Sequence, residues 1–249
     1  MFIWIFSLSS IFFTAISFAE DPYMDMVLVK SGTYKPFFKQ ESGKEVIVSD
    51  FHLDKFPVSI MQFNKFLKEN PDYQKTKILS IYKDERYLEN WPSDLFPASK
   101  LNEMNQIPVT FVSWYVARKY CQWLGKRLPT ITEWEYASDA NDPEVIELIL
   151  KWYAKSANDE TLKIGRSYPN KKKLYDMHGL IWEWVEDFNT VMISPDSRAK
   201  GERADAMFCG GGSLNAEDAK QYATFMRFGF RSGLKGNYTM QSLGFRCAK

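Results

Sequence analysis

The densest run of chemistry-bearing residues in this 249-residue chain is YDMHGLIWEWVEDF, Tyr175 to Phe188. Asp176, Gly179, Ile181 and Glu183 are spaced so that they could curl a loop around a hard cation. Carboxylates stand at both ends and the backbone carbonyls of Gly179 and Ile181 lie between. Calcium takes an all-oxygen ligand set of this kind from a flexible loop. The same residues also suit a plain structural segment, with Trp182 and Trp184 in the core and the acids solvated or paired with Lys171 to Lys173. Taken alone, the spacing favours that structural reading, because acids are common on loops.

A second candidate is GGGSLNAEDAK, residues 210 to 220. Three consecutive glycines after a Phe-Cys pair suit a tight backbone crossing better than a phosphate cradle. Glu217 and Asp218 could act as general base, although one acid pair on a loop also fits surface placement. Other chemistries are excluded. The chain has only two histidines, His52 and His178, far apart in sequence, which argues against a zinc hydrolase or a three-histidine iron site. No GxSxG elbow, phosphate-binding loop or dinucleotide fingerprint is present.

The elements that must position these residues can be read from periodicity. Met26 to Val29 and Glu45 to Val48 read as short strands, and FHLDKFPVS as a strand entering a turn. Ser59 caps a helix with Ile60, Phe63, Phe66 and Leu67 on one face. Residues 70 to 108 have no stable period and read as a long packed loop. Ser113 opens a second helix that Gly125 stops, with Trp114, Ala117, Tyr120, Cys121 and Leu124 inward. Thr130 to Glu133 form a capping box ahead of Trp134 and Ala137. Asp142-Pro143 starts a third helix, with Ile146, Ile149, Leu150 and Tyr153 as its buried stripe. From Lys155 onward the pattern predicts mostly loop and short strand.

The first charged side chain is Glu20, and the preceding nineteen residues are apolar, ending Ser17-Phe18-Ala19. This reads as a cleaved signal peptide, residues 1–19, with an uncleaved membrane anchor as the alternative because the positive n-region is missing. Either way the domain is expected outside the cytoplasm, periplasmic or secreted. A net charge of +1 with interspersed signs gives no polycationic face for nucleic acid. Aromatic content of 16% suits loops packed by rings, and three cysteines in an oxidising compartment leave one over from any pair.

The ordered motifs PVTFVSWYVARKYCQWLGKRLPTITEWEYAS, YDMHGLIWEWVEDF, GGGSL and LGFRCA resemble the formylglycine-generating enzyme, or sulfatase-modifying factor, family. The resemblance covers about residues 24–249, and it is to the cysteine-less branch of the family. It implies a single irregular α+β domain, C-type-lectin-like and low in regular secondary structure. It also implies a structural calcium ion on Asp176, Gly179, Ile181 and Glu183. Asn158 is the remnant of a shortened second calcium loop. A disulfide between Cys121 and Cys247 is implied too, leaving Cys209 unpaired. In the family, two cysteines after the GGS motif bind copper. Counting along this chain places them at Ala216 and near Ala223, so a two-thiolate copper site cannot be built.

Two functional readings follow. In one, the chain is a non-catalytic binding or scaffold module of the cell envelope, gripping a peptide, an envelope component or a small aromatic molecule. In the other, it is a periplasmic oxidoreductase similar to the proteins that mature pyoverdine. Its cleft would then be floored by Trp182, Ser213 and Arg231, with Ser213, Glu217 and Arg231 as catalytic candidates. A sulfoxide synthase would need clustered histidines that the chain lacks. A membrane partner is expected only if the N-terminal segment stays uncleaved.

Overall fold

A computed structural model describes residues 25–35, 45–140, 142–154, 163–167, 169–189 and 219–249. Regular structure is short and scattered, as the aromatic, loop-rich sequence leads one to expect. Strand β1 (Met26–Val29) pairs antiparallel with β4 (Phe51–Asp54), and β2 (Gly32–Tyr34) with β3 (Val46–Val48). Helix α1 (Ile60–Glu69) starts at Ser59, whose side chain accepts from Gln62 N while the Gln62 side chain accepts from Ser59 N. That reciprocal cap satisfies two otherwise orphaned amides, and the helix buries Ile60, Phe63, Phe66 and Leu67.

Residues 70 to 108 form a packed connection, with three single-turn 3₁₀ segments and the one-turn helix α2 (Leu101–Met104). Ile78, Tyr87, Leu88 and Trp91 pin it to the core. Trp91 meets Phe63 edge-on, with ring centroids 6.0 Å apart. Helix α3 (Trp114–Trp123) is capped by Ser113 and ends where Gly125 takes φ +67°, a left-handed conformation that disfavours a side chain. Helix α4 (Ile131–Ala137) carries the capping box of Thr130 and Glu133, and α5 (Pro143–Tyr153) starts at Asp142.

The C-terminal segment closes the core. Strand β5 (Trp182–Glu183) lies parallel to β6 (Leu243–Gly244). Gly244 is required there, since a Cβ would stand 2.3 Å from the Val109 carbonyl oxygen and 2.7 Å from Ile181 Cδ1. Cys121 of α3 is disulfide-bonded to Cys247, as the resemblance implies. Beside it, buried Asp54 accepts from Lys126 Nζ at 2.6 Å and from Cys247 N at 2.9 Å.

One element departs from the reading of the sequence. Residues Ala219–Ser232 form a 14-residue helix, α6, where loop and short strand were expected. Its inward positions include Ala223, Thr224, Arg227, Phe228 and Arg231. The spacing is helical, but three of the five side chains are polar or charged, so hydrophobic periodicity fails to mark it.

Candidate functional site

Helix α6 sits against α5 and α4 and carries its arginines inward. Ala223, fully buried, packs with Ile146 and Ile149 of α5. This is the position where counting placed the second family cysteine. Arg227 and Arg231 converge on Glu135 of α4. Arg227 Nη2 donates to Glu135 Oε2 at 2.8 Å, and Arg231 Nη1 to Oε1 at 2.6 Å. All three side chains are essentially without solvent contact. Burial alone would raise the Glu135 carboxyl, but the two guanidinium groups outweigh it and hold the group down at about 2.

Around this triad stand Tyr34 and Tyr153, both raised by burial, Tyr153 to about 12. The Arg231 guanidinium lies 4.5 Å from the Trp134 ring centroid, in cation–π contact. Glu135 and Arg227 were not among the residues singled out from sequence. The signal existed, because Ile131, Trp134, Glu135 and Ser138 fall at helical spacing on the buried face of α4. An acid in that stripe announces an internal partner.

Trp182, expected on a cleft floor, is half-buried and packs against the protein's own rings. Phe230 of α6 stacks on it at 4.3 Å, Tyr153 stacks at 5.4 Å and Trp152 lies 4.9 Å away. Arg231, expected beside it, is turned to Glu135. Ser213, Glu217, Asp218, Ala216, Cys209, Asn158, the glycines 210 to 212 and the segment 1–19 lie outside the described residues.

The residues of the expected calcium loop are all described, and each carboxylate oxygen already accepts a protein hydrogen. Asp176 takes Gly165 N on Oδ2 at 2.6 Å and Ser167 Oγ on Oδ1 at 2.6 Å. Glu183 faces the guanidinium of Arg246, with Nη2 to Oε1 and Nε to Oε2 both at 2.8 Å, and takes Trp134 Nε1 on Oε2 at 2.7 Å. Arg246 and Glu183 are both fully buried. Calcium needs about six to eight oxygen ligands, and here the glutamate is already neutralised by a buried arginine. In this arrangement the residues do not fit an ion bridging Asp176 and Glu183. Trp184, expected in the core, is 1% exposed and donates from Nε1 to the Val112 carbonyl at 2.8 Å. Among the described residues, no three of His, Cys, Asp and Glu cluster to hold a metal ion.

These features define an irregular α+β domain whose β5–β6 base is tied by a disulfide and a buried Glu–Arg pair. The chain matches the sulfatase-modifying factor enzyme 1-like domain over residues 13–249 and belongs to that family. It is 26% identical to the inactive C-alpha-formylglycine-generating enzyme 2 of Bos taurus, over 87% of this chain and 83% of the relative. It is 27% identical to the formylglycine-generating enzyme of Mus musculus, over 87% of this chain and 71% of the relative. The crystal structure of CarF shares the fold, with a TM-score of 0.50 at 16% identity, over 91% of this chain and 98% of that one.

Proposed function

We propose that this chain is a non-catalytic binding module of the sulfatase-modifying factor family, exported to the periplasm or secreted. Its loops, set on a rigid disulfide-tied base, would bind a peptide, an envelope component or a small aromatic molecule. The observation that carries the reading is the state of the Trp182 face. Phe230 and Tyr153 stack on the indole, and Arg231 is committed to Glu135. An arginine locked in a buried ion pair and a half-buried tryptophan already stacked with two rings leave a substrate less to contact there.

Two further facts support it. Alanine stands at both positions where the family's copper-binding cysteines are expected, so thiolate ligation is lost there. Relatives named as inactive align over most of the chain. Export is supported by the apolar N-terminal stretch and by the Cys121–Cys247 disulfide, which persists in oxidising compartments. Among the described residues no helix is long and apolar enough to cross a membrane.

Copper titration of the purified chain tests this. The expected result is no stoichiometric Cu(I) binding, with metal analysis showing no retained copper or iron. One tightly held copper per chain would overturn the reading in favour of an oxidase.

A further inference from the structure

The strands that carry the C-terminus end in an open edge. In β4, His52 and Asp54 bond through their peptide groups to Lys249 and Cys247, while Lys55 N donates to the Asp25 carbonyl on the other side. Antiparallel ladders alternate, so Phe51, Leu53 and Lys55 face β1 and meet Val29, Val27 and Asp25 there. The N–H and C=O groups of Met26 and Leu28 therefore point away from β4. Among the described residues nothing bonds to them on that side, and Leu28 is 42% exposed. Beyond Val29 the edge is closed by Tyr136, whose hydroxyl donates to the Lys30 carbonyl at 3.1 Å. Natural edges are commonly blunted by charge, proline or a bulge. Met26–Val29 contains no charged residue or proline, and its register against β4 runs without interruption.

We infer that β1 pairs antiparallel with β1 of a second copy of this chain, with Met26 of each protomer opposite Leu28 of the other. The free peptide groups lie two residues apart, so a two-fold axis at Val27 sets each free N–H against a free C=O. Charge selects the sense: antiparallel pairing brings the Asp25 end of one strand to the Lys30 end of its partner, whereas parallel pairing would align acid with acid and base with base. Side chains alternate along the strand, so Met26 and Leu28 share a face and each Met26 lies across from an exposed leucine. A register shifted toward the C-terminal end would need the Lys30 carbonyl, which Tyr136 already holds. The contact stands apart from the Trp182 face, whether or not that face does chemistry.

Sedimentation velocity of the purified chain, with amide exchange followed by NMR, tests the pairing. A monomer–dimer equilibrium that moves toward dimer with rising concentration is expected, and the Met26 and Leu28 amides should exchange more slowly where the dimer is populated. Leu28→Pro removes an outward N–H and spares the ladder to β4, which runs through residues 25, 27 and 29. It should weaken the dimer by at least about tenfold. Leu28→Lys keeps the N–H but sets a charge on the edge, should also weaken the dimer, and serves if the proline variant does not fold. A monomer at every concentration, a dimer whose Met26 and Leu28 amides exchange as fast as the monomer's, or a dimer that these substitutions leave intact would each refute the pairing.

Discussion

Glu135 holds two buried arginines with one carboxylate, and the energetics of the α6 face turn on it. Replacing it by glutamine strands both guanidinium groups away from water, so Glu135→Gln should cost about 3 to 5 kcal/mol in denaturant unfolding. The pH dependence follows from the same contact. The folded carboxyl sits at about 2, below its ordinary 4.5. The unfolded chain therefore binds the extra proton between those values, and the contribution is complete above about 4.5 and lost as pH falls toward 2. The wild type should lose up to about 1.4 kcal/mol per pH unit more than Glu135→Gln across that window; parallel curves would remove Glu135 as the cause. Glu183 is paired with Arg246 in a fully buried ion pair. A chelator should accordingly leave the melting temperature unchanged, while Glu183→Ala should lower stability by about 3 kcal/mol or more. A chelator-induced drop that Glu183→Ala abolishes would restore the calcium loop.

Helix α6 is the element that decides whether the Trp182 face is open. Phe230 covers the indole and Ala223 lets the helix approach α5 closely. Phe230→Ala should destabilise the domain by about 1 to 3 kcal/mol and make Trp182 more accessible to a fluorescence quencher. An unchanged quenching profile would mean that α6 does not cover the ring. The helices from Ser59, Ser113, Thr130 and Asp142 were legible because each pairs a capping side chain with an apolar stripe. Helix α6 was not, since Thr224, Arg227 and Arg231 occupy its inward positions. Their burial depends on Glu135, which lies 92 positions before Arg227 in the chain, and a local window cannot see that partner. The same blindness hid Arg246 from the reading of Glu183: the resemblance implied a ligand there, and the tertiary fold sets a counter-charge against it.

At the scale of the whole molecule, the ends of the fold are tied together. The disulfide spans 126 positions and joins α3 to the C-terminal segment. Cys121→Ser with Cys247→Ser should cost about 4 to 5 kcal/mol by the loop-closure account, read as a lowered denaturant midpoint. A loss below about 1 kcal/mol would show that the buried Asp54–Lys126 and Glu183–Arg246 pairs hold the base without it. Family and fold class were legible because four ordered motifs spread over most of the chain. The state of the cleft was not, because it depends on which rings stack on Trp182. The most direct test of the non-catalytic reading is oxygen consumption by the purified, copper-supplemented chain, offered a cysteine peptide and then a catechol. Uptake indistinguishable from the protein-free blank is the predicted result; turnover that persists through purification and is lost in Arg231→Ala would contradict it.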